Sequence, residues 1–140
     1  MLVDSKESVE YLNKRFHNCD DGVIRHLEVV YRSGANRPSS VKIVLSVRDS
    51  EFRDNDGFVN LKLILNNVPE FSFNEGDISY QVLSEGLKII FINGLIFITF
   101  NPHNNPESIS SIRDSSFYCA CKRLEWEILP YKDYVSPPEC

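Results

Sequence analysis

Apolar and polar residues alternate with a period of two along most of this chain. The alternation is sharpest from Leu87 to Phe100, where two apolar runs flank Asn93 and Gly94. A two-residue turn of type I′ needs positive φ at both central positions, which Asn and Gly tolerate best, so the segment predicts a tight antiparallel hairpin. Counting outward pairs Ile92 with Leu95, Phe91 with Ile96, Ile90 with Phe97, Ile89 with Ile98 and Lys88 with Thr99. One face then collects Leu87, Ile89, Phe91, Ile96, Ile98 and Phe100, which marks it as core. The other carries Ile90, Ile92, Leu95 and Phe97 near the turn and also needs a cover.

At the N-terminus, Asp4 is expected to cap a short helix over about 5–16, with Glu7 as the reciprocal member of a capping box. Val9, Leu12 and Phe16 fall on one face of that helix and match the second face of the hairpin near its turn, Ile90, Ile92, Leu95 and Phe97, which they are expected to cover. A strand begins near Val23, with Leu27, Val29 and Tyr31 inward and His26, Glu28 and Arg32 outward. Two more strands follow: Val41, Ile43, Leu45 and Val47 share one face, as do Val59, Leu61, Leu63 and Leu65, and each strand keeps one wet face. A short strand precedes a turn at Glu75-Gly76-Asp77, and ISYQVL reads as another strand. Asn105 and Pro106 signal a second short helix near 106–113 that buries Ile109 and Ile112. In the last strand Phe117, Cys119 and Cys121 have one parity and Leu124, Trp126 and Ile128 the other, so a bulge is expected near Lys122-Arg123. Residues 131–140 form a proline-terminated tail. The pattern predicts a mainly β domain spanning 1–140: an antiparallel β-sandwich or strongly curved sheet of about seven to eight strands. A single large sheet with both helices on one face is the alternative.

Charge narrows the partners. Twenty acidic residues against fifteen basic ones give a net charge of −5, and the bases are scattered rather than clustered with aromatics, which argues against nucleic acid. Residues 71–140 hold nine acids and five bases, so they supply −4 of that total. No apolar stretch reaches membrane-spanning length, and no export signal is evident at the N-terminus, so a cytoplasmic location without membrane attachment is expected. Free thiols are expected at Cys19, Cys119, Cys121 and Cys140, with Cys19 in a polar turn. The paired cysteines sit two apart on a strand, a poor spacing for convergent zinc ligands, and neither metal nor cofactor is expected.

Each constellation that resembles a catalytic site fails a specific test. Asp49, Glu51, Asp54 and Asp56 resemble a calcium loop, yet aligning Gly57 with the invariant glycine puts Phe52 and Leu63 at ligand positions. The serines at 108–116 lack a nucleophile elbow, and Glu125 and Glu127 read as a charged outer strand face. His17 stands apart, held between the apolar end of the helix and the turn Asn18-Cys19-Asp20-Asp21-Gly22. Its simplest role is to fix that corner through a hydrogen bond; a ligand or catalytic role is the alternative.

Phe16-His17-Asn18 before a first strand, and the closing pattern Asp114 to Tyr118 followed by Leu124 to Leu129, resemble small bacterial β-rich proteins. Some of those are classed as candidate immunity proteins of polymorphic toxin systems. Asn18 stands where that pattern has Asp. The resemblance implies no enzymatic activity, only a protein that works by binding a partner. The expectation is therefore a non-enzymatic binding protein, an immunity protein that neutralises a protein toxin, with Asp49, Glu51, Asp54, Asp56, Glu75 and Asp77 offered to a basic surface. A ligand-binding or structural β-sandwich is the alternative, and a hydrolase-like enzyme a more distant one. A monomer is expected, with Ile90, Ile92, Leu95 and Phe97 as the surface for a homodimer if the hairpin is left uncovered.

Overall fold

The computed structural model describes residues 1–34, 36–52, 57–73, 82–83, 86–100, 112–113 and 117–129. They form two antiparallel sheets around one core. In chain order the elements are β1 (Leu2–Val3), α1 (Lys6–Arg15), a 3-10 turn (His17–Cys19), β2 (Gly22–Tyr31), β3 (Pro38–Arg48), β4 (Phe58–Asn66), β5 (Glu70–Phe73), β6 (Val82–Leu83), β7 (Lys88–Ile92), β8 (Leu95–Thr99), β9 (Phe117–Cys121) and β10 (Arg123–Leu129). The large sheet has the order β1-β10-β4-β3-β2-β6 and the small one β5-β9-β8-β7. The ten strands among the described residues exceed the seven or eight expected, because Leu2–Val3 add one at the edge and the closing strand divides in two.

The hairpin has the expected register, from Ile92 opposite Leu95 to Lys88 opposite Thr99, and Asn93 and Gly94 have φ of 52° and 77°. Leu87, Ile89, Ile96, Ile98 and Phe100 are buried in the common core, with Phe91 packed against it. The cover of the second face differs from expectation. Phe97 and Ala120 pack with Ile112, and Ile90, Leu95 and Tyr118 lean on that group. Arg113, the next residue, donates two hydrogen bonds to Glu70 on β5, each of 2.7 Å. Helix α1 instead joins the main core through Val9, Leu12 and Phe16. There Phe16 makes an edge-to-face contact with Trp126 of β10, at 5.2 Å between centroids. Of the expected second helix only Ile112 and Arg113 lie among the described residues, and the tail 131–140 lies outside them.

The cap of α1 is also displaced by one residue. Ser5, rather than Asp4, accepts from the Ser8 N–H at 3.2 Å, and the Ser8 hydroxyl accepts from the Ser5 N–H at 2.9 Å. A serine at the third helical position closes the box as well as Glu does, and β1 holds the chain extended through Val3.

The parity break of the closing segment marks a change of sheet. Cys121 and Leu124 both point inward, and exposed Lys122 and Arg123 lie between them. The Lys122 N–H donates to the carbonyls of both Asn66 and Asn67, two residues opposing one as in a bulge. There β9 leaves the small sheet for β10 in the large one, and beside it β4 passes into β5. The expected bulged strand is thus two strands meeting at a corner of the sandwich.

The outer face of the large sheet is drier than alternation predicts. Val44, Ser46 and Asn60 are buried; Arg25 Nε donates to Ser46 Oγ at 2.9 Å, and Ser46 Oγ donates to Asn60 Oδ1 at 2.9 Å. In β2, Arg25 is an extra residue opposite β3, so Ile24 and Leu27 both face inward across it. Tyr31, expected inside, is 54% exposed.

Candidate functional site

The end of α1, the turn that follows it and the loop after β3 meet at one corner. The turn is made of three consecutive non-glycine residues with positive φ: His17 at 53°, Asn18 at 57° and Cys19 at 56°. L-residues disfavour this conformation by roughly 1–2 kcal/mol each, least for Asn, and rarely adopt it in succession. Here three backbone hydrogen bonds hold it. The Cys19 N–H donates to Phe16 O at 2.8 Å, Asp20 N–H to His17 O at 3.0 Å, and Leu87 N–H to Asn18 O at 2.8 Å. Two glycines make room for it. A Cβ on Gly86 would lie 2.3 Å from Asn18 O, and one on Gly22 would lie 2.9 Å from Cys19 O. Cys19, in the turn as expected, is buried and anchors it from beneath, and burial pushes its thiol up to about 12.

Beside the turn, Arg15 grips the β3–β4 loop. Its Nε donates to Asp49 Oδ1 at 2.9 Å and its NH2 group to Asp49 Oδ2 at 3.0 Å, a forked pair in which the Asp49 side chain has no exposure. Burial acts to raise the Asp49 pKa, but the hydrogen bonds from Arg15 and the Glu51 N–H, with the charges of Arg15 and His17, outweigh it and hold the carboxyl below its usual value. Arg15 O accepts from Ser50 N–H at 2.9 Å, which closes the helix end on the same loop. The Arg15 guanidinium also lies 5.3 Å from the Phe16 ring centroid and 5.4 Å from that of Trp126.

An open cleft of about 260 Å³ runs along this corner, lined by His17, Asp20, Asp21, Arg48 and Phe58. Arg48 lies over the Phe58 ring at 5.3 Å, and His17, Asp20 and Asp21 are exposed on the rim. No family model, curated protein or solved structure matches the chain. The reading of this corner therefore rests on its own chemistry.

Of the acids expected to meet a partner, Asp49 faces inward as the buried half of an ion pair, so it holds the corner together and is not offered to a partner. Glu51 is 54% exposed; it accepts from Tyr11 Oη at 2.7 Å and sits 3.1 Å from Arg15 Nε. Asp54, Asp56, Glu75 and Asp77 lie outside the described residues. His17 is at the corner, as expected, but the bonds that fix the corner are those of its backbone and of Arg15. Sequence reasoning missed Asp20, Asp21, Arg48 and Phe58. The only local signal was the cluster Asn18-Cys19-Asp20-Asp21-Gly22, rich in residues that tolerate positive φ. Among the described residues no group of three or more His, Cys, Asp or Glu side chains is placed to hold a metal ion, and no helix is long and apolar enough to cross a membrane.

Proposed function

We propose that this chain is a non-enzymatic binding protein that neutralises a basic protein toxin by contact, as an immunity protein does, and that it docks through the left-handed turn and its cleft. The observation that carries the reading is the turn itself: three strained, non-glycine residues in succession, held by buried contacts while Asp20 and Asp21 are displayed beside it. Such strain persists only where the surrounding structure over-determines it, and a rigid display lowers the ordering cost of association. The rim combines two carboxylates with an Arg, a His and an aromatic ring, and of these Arg and aromatic residues are enriched at protein interfaces. An acidic rim on a chain of net charge −5 favours a basic partner and speeds its approach. Under this reading it acts in the cytoplasm, where a toxin would reach its target. A small-molecule site is less well supported, because the cleft is open, and ligand pockets are commonly enclosed and mostly apolar.

The test is co-purification with the product of the gene immediately upstream. The expected result is an equimolar complex that weakens as salt is raised and is weakened further in the variant Asp20→Lys, at an exposed residue with an ordinary φ of −61°, whose melting temperature stays unchanged. Failure of the native chain both to bind that product and to protect cells expressing it would overturn the proposal.

A further inference from the structure

The end of β3 carries the corner beyond its cleft. Arg48 lines the cleft, Asp49 is gripped by Arg15, the Ser50 N–H bonds the end of α1, and Glu51 reaches Tyr11, so consecutive residues lead from the cleft to the flank of the helix. Tyr11 is held there on two sides. Its ring stacks on Trp126 at 6.3 Å between centroids, and its hydroxyl donates to Glu51 Oε2 at 2.7 Å while accepting from Arg15 NH1 at 3.3 Å. Even so, Tyr11 is 40% exposed. Phe52, whose N–H donates to Asp49 O at 3.2 Å, is 37% exposed on the same loop. An aromatic side chain that is already ordered gives a partner a large contact area without the entropy cost of immobilising it.

We propose that Tyr11 and Phe52 are the apolar anchor of the partner contact whose acidic rim is the His17 cleft. The inference rests on the docking of a basic protein at that cleft and gives the two halves of the contact different roles. Six positions, about 9 Å at helical rise, separate Tyr11 from His17, which is well within a standard interface of about 800 Å² on each partner. Charge supports the same occupant at both ends. Glu51, 54% exposed, stands on the Tyr11 hydroxyl as Asp20 and Asp21 stand on the cleft, while the Arg15 guanidinium is turned to buried Asp49. Exposed rim charges act mainly on the rate of encounter, whereas aromatic side chains buried at the centre of a contact dominate its strength and therefore its rate of dissociation. The cleft steers the basic partner, and the Tyr11 flank retains it.

Association and dissociation rates of the full chain with the product of the upstream gene, measured at low salt, test this. Tyr11→Ala should speed dissociation about thirtyfold and change the association rate less than about threefold. Asp20→Lys should do the reverse, slowing association about tenfold with little effect on dissociation. Phe52→Ser leaves the bonds of Tyr11 in place, should speed dissociation about tenfold, and carries the test if Tyr11→Ala does not fold. A native chain that does not bind overturns the docking reading and this surface with it. A chain that binds and loses association rate in Asp20→Lys, but dissociates at the native rate in both aromatic variants, overturns the anchor alone. Self-association of the native chain that Phe52→Ser abolishes would assign the surface to a second copy and overturn it too.

Discussion

Asp49 shows how much one side chain changes meaning once its surroundings are known. In the sequence it is one acid in the loop Asp49 to Gly57; in the fold it is a buried carboxylate forked by Arg15. Its pKa is lower in the folded chain than in the unfolded one, so the stability it contributes is present above the ordinary carboxylate range and is lost as pH falls through the folded value. Asp49→Asn should cost about 1.5–3 kcal/mol at neutral pH, because it removes the buried, forked acceptor of Arg15 and leaves the exposed Glu51 as its carboxylate partner. It should also flatten the acid limb of a plot of unfolding free energy against pH; a limb as steep as the native one would assign the pH dependence to other groups. The glycines give a matched comparison. Gly34 and Gly86 have φ of 79° and 73°, but a Cβ on Gly34 meets nothing within 4 Å whereas one on Gly86 runs into Asn18 O. Gly34→Ala should therefore cost about 1–2 kcal/mol from backbone strain alone, and Gly86→Ala markedly more because the left-handed turn must also give way. Equal shifts in thermal unfolding would mean that Gly86 does not clamp the turn.

At the scale of elements, local and non-local information separate cleanly. The hairpin β7–β8 was legible to the residue, because turn chemistry and period-two alternation act within fourteen positions of the chain. Its second-face cover was not, because Ile112, which packs on Phe97 and Ala120, lies outside the hairpin's own stretch of sequence. Ile89→Ala should cost about 2–5 kcal/mol in urea unfolding, and Ile112→Ala should fall in the same range although it is not in the hairpin. An Ile112 variant as stable as the native chain would show that Phe97 is covered by something else. Similarly, Lys122 looked like the site of a bulge because alternation records a change of face, but it cannot say that the two halves belong to different sheets.

For the molecule as a whole, the two corners where β4 passes into β5 and β9 into β10 join the sheets around a common core. That arrangement predicts one cooperative transition. Trp126, the sole tryptophan, is 4% exposed and reports on the contact of α1 with the large sheet, whereas far-ultraviolet circular dichroism reports on all strands. The two signals should give coincident denaturation curves. Separate midpoints would show the small sheet unfolding apart from the large one.

Alternation, turn residues and helix periodicity by themselves determined the mainly β class, the N-terminal helix, the position of most strands, the hairpin register and the inward faces of β3 and β4. All of these follow from interactions between residues close in sequence or from the two faces of a strand. They also located His17 at a corner, since Phe16 ends an apolar helical stripe and a cluster of turn formers follows. Only the tertiary structure decided which sheet each strand joins, that α1 joins the main core beside Trp126 while Ile112 covers the second face of the hairpin, that Asp49 is buried against Arg15, and that Asp20 and Asp21 share a cleft with Arg48 and Phe58. Those outcomes depend on contacts between different elements of the chain, whose formation is set by the joint packing of both sheets and leaves no periodic trace along the chain.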